Sequence, residues 1–158
     1  MKIPKSLTGK TLTQAVLTTI FFFSLSFSAF AGSAVSLSGD NVNIRTGPSK
    51  NKPVYMQLSK GYPLKVVKRQ GDWVKVIDYE GDSGWVDASY IEKGYTYIVN
   101  AKKKINMRSR PTKNSDRIAE VYRGVILTKL SLSKSGKWAK VKSEDGVVGW
   151  IYKPLLWP

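Results

Sequence analysis

Gly71-Asp72-Trp73-Val74-Lys75-Val76 returns sixty-five residues later as Gly136-Lys137-Trp138-Ala139-Lys140-Val141. Working outward, Gly84-Trp85-Val86 matches Gly149-Trp150-Ile151 at the same offset, so both copies hold their two tryptophans twelve residues apart. Toward the N-terminus, Asn43-Ile44-Arg45-Thr46-Gly47-Pro48 matches Asn106-Met107-Arg108-Ser109-Arg110-Pro111 at an offset of 63, as Gly61 and Leu64 match Gly124 and Leu127. The two additional residues of the second copy fall within Ser131-Leu132-Ser133-Lys134-Ser135, a turn-like stretch. A duplication of about sixty residues therefore decides the architecture before any single element is read.

Within a copy the apolar period is two. Val42 and Ile44 alternate with Asn43 and Arg45, Leu64 and Val66 flank Lys65, and Val74 and Val76 alternate with Trp73 and Lys75. Side chains of a strand point alternately to opposite faces, so this pattern predicts half-buried strands. Turn formers separate the runs: Thr46-Gly47-Pro48, Ser59-Lys60-Gly61, Gln70-Gly71-Asp72 and Glu80-Gly81-Asp82. The second copy repeats the pattern through Val121, Val125, Leu127, Val141 and Ile151. Roughly five short strands per copy predict an all-β chain of two small barrels, each hiding its edges by closing on itself. Glu92-Lys93-Gly94-Tyr95 marks the boundary, giving domains 32–93 and 94–158 with little linker between barrels that should touch.

The residues before the first copy read as an address. Lys2, Lys5 and Lys10 precede an uncharged stretch, densest at Ile20-Phe21-Phe22-Phe23-Ser24-Leu25, that ends in Ala29-Phe30-Ala31. A basic start, an apolar centre and an A-x-A end form the pattern of a secretory signal peptide over residues 1–31, with cleavage before Gly32. The alternative is an uncleaved anchor, since about 20 uncharged residues can span a bilayer; Gln14 and the many Ser and Thr argue against it. The expected location is periplasmic or secreted, with no membrane span after cleavage.

The chain has no Cys and no His. That removes thiolate nucleophiles, Ser–His triads and Cys/His zinc sites, so no metal and no cofactor are expected. It also removes disulfides, which an exported domain could otherwise have used. Charge is unevenly placed within the net +15: residues 40–93 carry nine basic and seven acidic side chains, residues 94–158 fourteen and four. Lys102, Lys103, Lys104, Arg108, Arg110 and Lys113 crowd the first turn of the second copy. Such a cluster serves either solubility or an anionic surface such as teichoic acid, lipopolysaccharide, phospholipid headgroups or carboxylate-bearing peptidoglycan.

With these motifs in place the chain resembles the bacterial SH3-like domain family, whose signature is N-x-R-x-x-P, then G-D-W-x-x-V, then G-W-V. The first copy has all three, closed by Ser89-Tyr90-Ile91. The second keeps the skeleton with Lys137 for Asp72, Ala139 for Val74 and Pro154-Leu155-Leu156 at the close. The resemblance implies two tandem SH3-like β-barrels with a short 3₁₀ turn near the end of each. It also implies a location outside the cytoplasm and a binding role toward cell wall or protein. The family commonly accompanies cell-wall hydrolases whose catalytic domains are separate, and none is expected here.

Candidate ligand-binding residues are the aromatics: Trp73, Trp85, Tyr55 and Tyr90 in the first copy, Trp138, Trp150, Tyr122 and Tyr152 in the second. An exposed ring can stack on a glycan or grip a peptide; the structural alternative is that the tryptophans plug the ends of a small barrel. Trp73 and Trp138 face away from the apolar strand positions beside them and so belong at the rim. Arg45 and Arg108, each just ahead of Pro48 or Pro111, read as ties from strand to turn rather than as ligand forks. The leading expectation is an exported, non-catalytic module for envelope polymer or an envelope protein, with Lys102, Lys103, Lys104, Arg110 and Lys113 facing an anionic surface. A basic nucleic-acid-binding small barrel is the alternative, opposed by the export signal. A cell-wall hydrolase using two carboxylates or a Ser–Lys pair is disfavoured, since acids are few and Asp72, Glu80 and Asp82 lie beside turn glycines.

Overall fold

The computed structural model describes residues 32–158, so the signal-peptide reading of residues 1–31 lies outside the described residues. Each copy is one sheet of seven strands. The first comprises β1 (Ala34–Leu37), β2 (Val42–Arg45), β3 (Val54–Leu58), β4 (Pro63–Gln70), β5 (Trp73–Ile77), β6 (Ser83–Asp87), a 3₁₀ turn (Ala88–Tyr90) and β7 (Ile91–Lys93). The second comprises β8 (Thr96–Val99), β9 (Ile105–Arg108), β10 (Arg117–Val121), β11 (Ile126–Leu132), β12 (Trp138–Lys142), β13 (Val148–Tyr152), a 3₁₀ turn (Lys153–Leu155) and β14 (Leu156–Trp157). Strand order is β3-β2-β6-β5-β4-β1-β7 in one and β10-β9-β13-β12-β11-β8-β14 in the other, the same order position for position. The architecture is two tandem all-β barrels of one topology.

The count exceeds the five strands expected from alternation, for two reasons. β1 and β8 are covered along almost their whole length, so they carry no polar alternation to read. β7 and β14 are only three and two residues long and follow the 3₁₀ turns. These overlooked pieces pair with each other, β1 with β7 and β8 with β14.

Where alternation was legible the register follows it. Val74, Val76 and Val86 in the first barrel and Ala139, Val141 and Ile151 in the second point inward and are at most 1% exposed. Ile44, Leu64 and Val66 complete one core, Met107, Leu127 and Val99 the other. Burying each Val or Leu contributes roughly 1.5–3 kcal/mol, and small domains have few such side chains to spare. Hairpin turns use Gly71 and Gly136 at φ 55° and 68°, a left-handed conformation that costs glycine least. Gly84 and Gly149 serve another purpose: an added Cβ would run into Ile44 or Met107 of the neighbouring strand, so glycine lets the core close.

The barrels meet across a buried hydrogen-bonded chain. Tyr95 N–H donates to Ser36 Oγ (3.1 Å), Ser36 and Thr96 hydroxyls bond at 2.8 Å, and Thr96 Oγ1 donates to the Gly61 carbonyl at 2.6 Å. Because Thr96 spends its only proton on Gly61, Ser36 is the donor between the hydroxyls, and the chain runs in one direction. Ser36 and Thr96 are 0% and 2% exposed and fully satisfied, the condition under which buried polar groups fix geometry. Elsewhere in the junction Arg123 stacks over Tyr79 at 4.9 Å and reaches Glu80 at 3.5 Å, while Lys65 lies 5.2 Å from the Trp157 ring.

Candidate ligand-binding site

The second barrel holds a concavity of about 270 Å³ between its first long loop and its 3₁₀ turn. One wall is aromatic. Trp138 of β12 and Tyr152 of β13 are direct cross-strand partners, and their rings meet edge to face at 5.6 Å and 61°. Ser133 sets the start of β12, its Oγ accepting from Trp138 N–H at 3.2 Å. The other wall is cationic, with Lys104, Arg108 and Lys113 beside Asn106, and Leu155 closes the end. Lys113 Nζ stands 6.0 Å from the Tyr152 ring centre. No lining residue is acidic.

The loop that follows β9 and carries Lys113 is held from within. Arg108 donates to the Ser115 carbonyl at 2.6 Å, and the buried Ser115 hydroxyl bonds the carbonyls of Arg110 and Thr112 at 2.9 and 3.0 Å. In the first barrel Arg45 makes the corresponding bond, to the Lys52 carbonyl at 2.7 Å. Arg108 therefore has two roles, tying the loop and lining the pocket. Lys104 pairs with Glu120 at 2.6 Å, and Arg117 holds the same carboxylate at 2.7 Å. The Lys104 hydrogen bond keeps the Glu120 carboxyl below its ordinary range.

The first barrel carries different chemistry at the matching place. Tyr152 corresponds to Asp87 and Pro154 to Ser89, at the offset of 65. Asp87 caps the 3₁₀ turn, accepting from Ser89 N–H at 3.0 Å and from Ser89 Oγ at 2.7 Å, and these bonds hold its pKa below the usual carboxylate range. Pro154 has no N–H to offer, so an acid at position 152 would have no cap to make. The position is free for an aromatic ring.

The other aromatic candidates do not gather into one face. Trp85 is 7% exposed with Lys68 5.2 Å from its ring, whereas Trp150 and Trp73 are half-buried. Tyr55 is exposed and donates to Asp82 at 3.3 Å; that carboxylate raises its pKa. Exposed Tyr90 covers Gly39, and Tyr122, 60% exposed, borders a smaller depression beside Met107 and Val147. Lys102, Lys103 and Arg110 are exposed; Pro48 is half-buried and Pro111 exposed. Asn106 and Leu155 went unsingled in the sequence, although Leu155 aligns with the singled-out Tyr90. Asp78, Glu80 and Asp82 bring carboxylate oxygens within 4.8 Å of one another, but Asp78 accepts from the backbone N–H groups of Glu80 and Asp82, each at 2.9 Å, which is turn-making.

These features define a small-barrel scaffold used twice, with a formed pocket in the second copy. The Bacterial SH3 domain family matches residues 38–93 and 101–158, and the chain belongs to that family. Among curated proteins it is similar to YrvJ of Bacillus subtilis, named as an N-acetylmuramoyl-L-alanine amidase, at 26% identity over 136 residues, 80% of this chain and 26% of that protein. It is also similar to LytH of Staphylococcus epidermidis, named as a cell wall amidase, at 38% over 48 residues, 30% of this chain and 16% of that one. The chain thus spans about a quarter or less of the curated relatives' length. Among solved structures, an NlpC/P60 family protein from Bacillus cereus aligns over 79% of this chain and 56% of its own, at 17% identity and TM-score 0.37. NlpC2 from Trichomonas vaginalis aligns over 83% and 49%, at 15% identity and TM-score 0.34.

Proposed function

We propose that this chain is an exported, non-catalytic module that binds cell-wall polymer, with the pocket of the second barrel as its principal contact. The observation that carries the reading is an aromatic wall, Trp138 against Tyr152, facing Arg108 and Lys113 with no acid among the lining residues, Lys104 beside them being paired with Glu120. Aromatic faces take the apolar side of a sugar or peptide, and the cations select a carboxylate beside it. Relatives named as cell-wall amidases support this direction, as does a second barrel with fourteen basic and four acidic side chains. Export rests on the N-terminal pattern; among the described residues no helix is long and apolar enough to cross a membrane.

Sedimentation with purified sacculi tests the reading. Lys102, Lys103 and Lys104 changed together to Glu should weaken retention mainly at low salt, because exposed charges are screened over roughly 8–10 Å at ordinary ionic strength. Trp138 is only 9% exposed, so Trp138→Ala is read on protein that keeps its fold, and there it should weaken retention at every salt concentration, by about ten-fold if one aromatic contact of 1–1.5 kcal/mol is lost. Retention unchanged in both variants would mean that the partner is a protein.

A further inference from the structure

The pocket uses one barrel, whereas a second and wider cleft uses both. Between the barrels lies an open cleft of about 430 Å³, lined by Asp40 and Lys60 on one side and by Tyr95, Thr128, Lys142 and Glu144 on the other. Gly61 forms part of its lining, and Gly61 is also the acceptor at the end of the buried Tyr95–Ser36–Thr96 chain. The cleft is therefore built on the one part of the junction whose hydrogen bonds are buried, and its two walls are set by them. It exists in neither barrel alone.

Its chemistry differs from that of the pocket. Two carboxylates, Asp40 and Glu144, oppose two ammonium groups, Lys60 and Lys142, so the formal charges cancel. Among the described residues none of the four enters an ion pair, the pairs being Lys104 and Arg117 with Glu120 and Arg123 with Glu80. Asp40 Oδ1 accepts from the Lys60 backbone N–H at 3.0 Å, which leaves its second oxygen, the Glu144 carboxylate and the two ammonium groups along the walls. Ser59 and Thr128 add hydroxyls, and Tyr95 adds a ring. A net ion gains nothing from such a site. A neutral ligand rich in hydroxyl and amide groups can donate to the carboxylates, accept from the ammonium groups and lay a C–H face on the ring. The volume falls in the range of small-ligand clefts.

We propose that the inter-barrel cleft is a second binding site, for an uncharged stretch of polysaccharide built of N-acetylated amino sugars. The proposal rests on the cell-wall reading for the source of the glycan, while the cleft's chemistry stands apart from the pocket. The two sites then divide the polymer, the pocket taking a carboxylate-bearing part and the cleft the neutral backbone.

The test is an amide-resolved NMR titration of the purified two-barrel chain with the soluble β-1,4-linked tetramer of N-acetylglucosamine, at low and high salt. Shifts should concentrate at Gly61, Tyr95, Thr128 and Lys142, with an affinity that changes less than two-fold with salt. Lys142→Ala with Glu144→Ala should weaken the tetramer at least five-fold at unchanged melting temperature. If the double variant melts early, Lys60→Ala in the opposite wall carries the same expectation. No shifts, or shifts confined to Trp138 and Tyr152, would overturn the proposal; so would a zwitterionic stem peptide displacing the tetramer from the cleft. Cleft shifts that persist while Trp138→Ala retains full sacculus binding would sink the pocket reading and leave this one standing.

Discussion

The two barrels share a strand order and a core yet differ at the rim, and the difference shows which parts of a duplicated fold are free to change. Val76 answers to Val141, Val86 to Ile151, Leu64 to Leu127 and Ile44 to Met107, all buried, so each barrel is filled by the same apolar set with small shifts of volume. The rim has diverged in correlated pairs. Asp87 with Ser89 makes a capped turn, and Tyr152 with Pro154 makes a turn that needs no cap. The tryptophans trade places in the same way: Trp85 is the more buried of its pair in the first barrel and Trp138 in the second. One copy spends its 3₁₀ turn on stability and the other on a pocket wall.

The harshest test of the shared core is a carboxylate inside it. Val76→Asp places a charge where the parent side chain is 1% exposed. Losing the Val burial and desolvating an acid should together exceed about 4 kcal/mol, most of the stability of a small domain. Calorimetry should show the first transition gone. The second barrel should survive but melt some degrees lower, because Thr96 loses Gly61 and Ser36 as partners. An unchanged first transition would place the strand register one residue off.

Next in size is the exchange of rims. Tyr152→Asp with Pro154→Ser gives the second barrel the capped turn of the first, so its folding should change by less than about 1 kcal/mol. The aromatic wall is lost and a carboxylate enters the pocket, so retention on sacculi should fall at least ten-fold at low salt. Retention equal to the parent would place the ligand away from Tyr152.

Asp87→Ala removes the cap alone and should cost the first barrel about 1 kcal/mol at neutral pH. The Ser89 bonds depress the folded-state pKa of Asp87. Stability from it is therefore present above the ordinary carboxylate pKa and lost as pH falls through the lower folded value. The gap in melting temperature between parent and variant should close on acidification below that value. A gap constant with pH would mean that the serine, not the charge, holds the turn.

Most of the fold was legible because alternation and turn glycines were written twice. The missed strands were those without alternation, Ala34–Leu37 and Thr96–Val99, which are covered on both faces, and the two short ones that pair with them, Ile91–Lys93 and Leu156–Trp157. The site was legible only in part. Trp138, Tyr152, Lys104 and Lys113 were singled out one at a time, but their meeting depends on the pairing of Trp138 with Tyr152 across β12 and β13 and on the internal bonding of the loop by Ser115. The inter-barrel cleft left no mark in the sequence, because its walls come from segments as far apart as Asp40 and Glu144, joined through hydroxyls that read as ordinary Ser and Thr.

The smallest expected effect lies where the cores themselves part company. Val66, 2% exposed in the first barrel, corresponds to half-buried Lys129 in the second. Burial, with Lys153 nearby, holds the Lys129 pKa below its ordinary value. Its ammonium lies 4.3 Å from the Tyr97 ring centre and donates to the Gly94 carbonyl at 3.4 Å, a long bond. Desolvation opposes the charge, while the ring returns roughly 0.5–1 kcal/mol of it. Lys129→Met keeps the stem and removes the charge, so the melting temperature at neutral pH should move by only a few degrees, upward. The pH dependence is the sharper reading. A lysine whose folded pKa is depressed is less protonated when folded than when unfolded, so the parent gains stability as pH rises from that depressed value toward the ordinary lysine value. Half-buried Tyr62 and buried Tyr97 have raised pKa values and pull the other way above their ordinary value. Below the ordinary tyrosine pKa neither ring contributes, so there the difference between the two proteins isolates Lys129: the variant's advantage should shrink as pH climbs toward that value. An advantage that grows instead would mean that the ring stabilises the cation more than burial penalises it, and that this lysine is a strut of the second barrel.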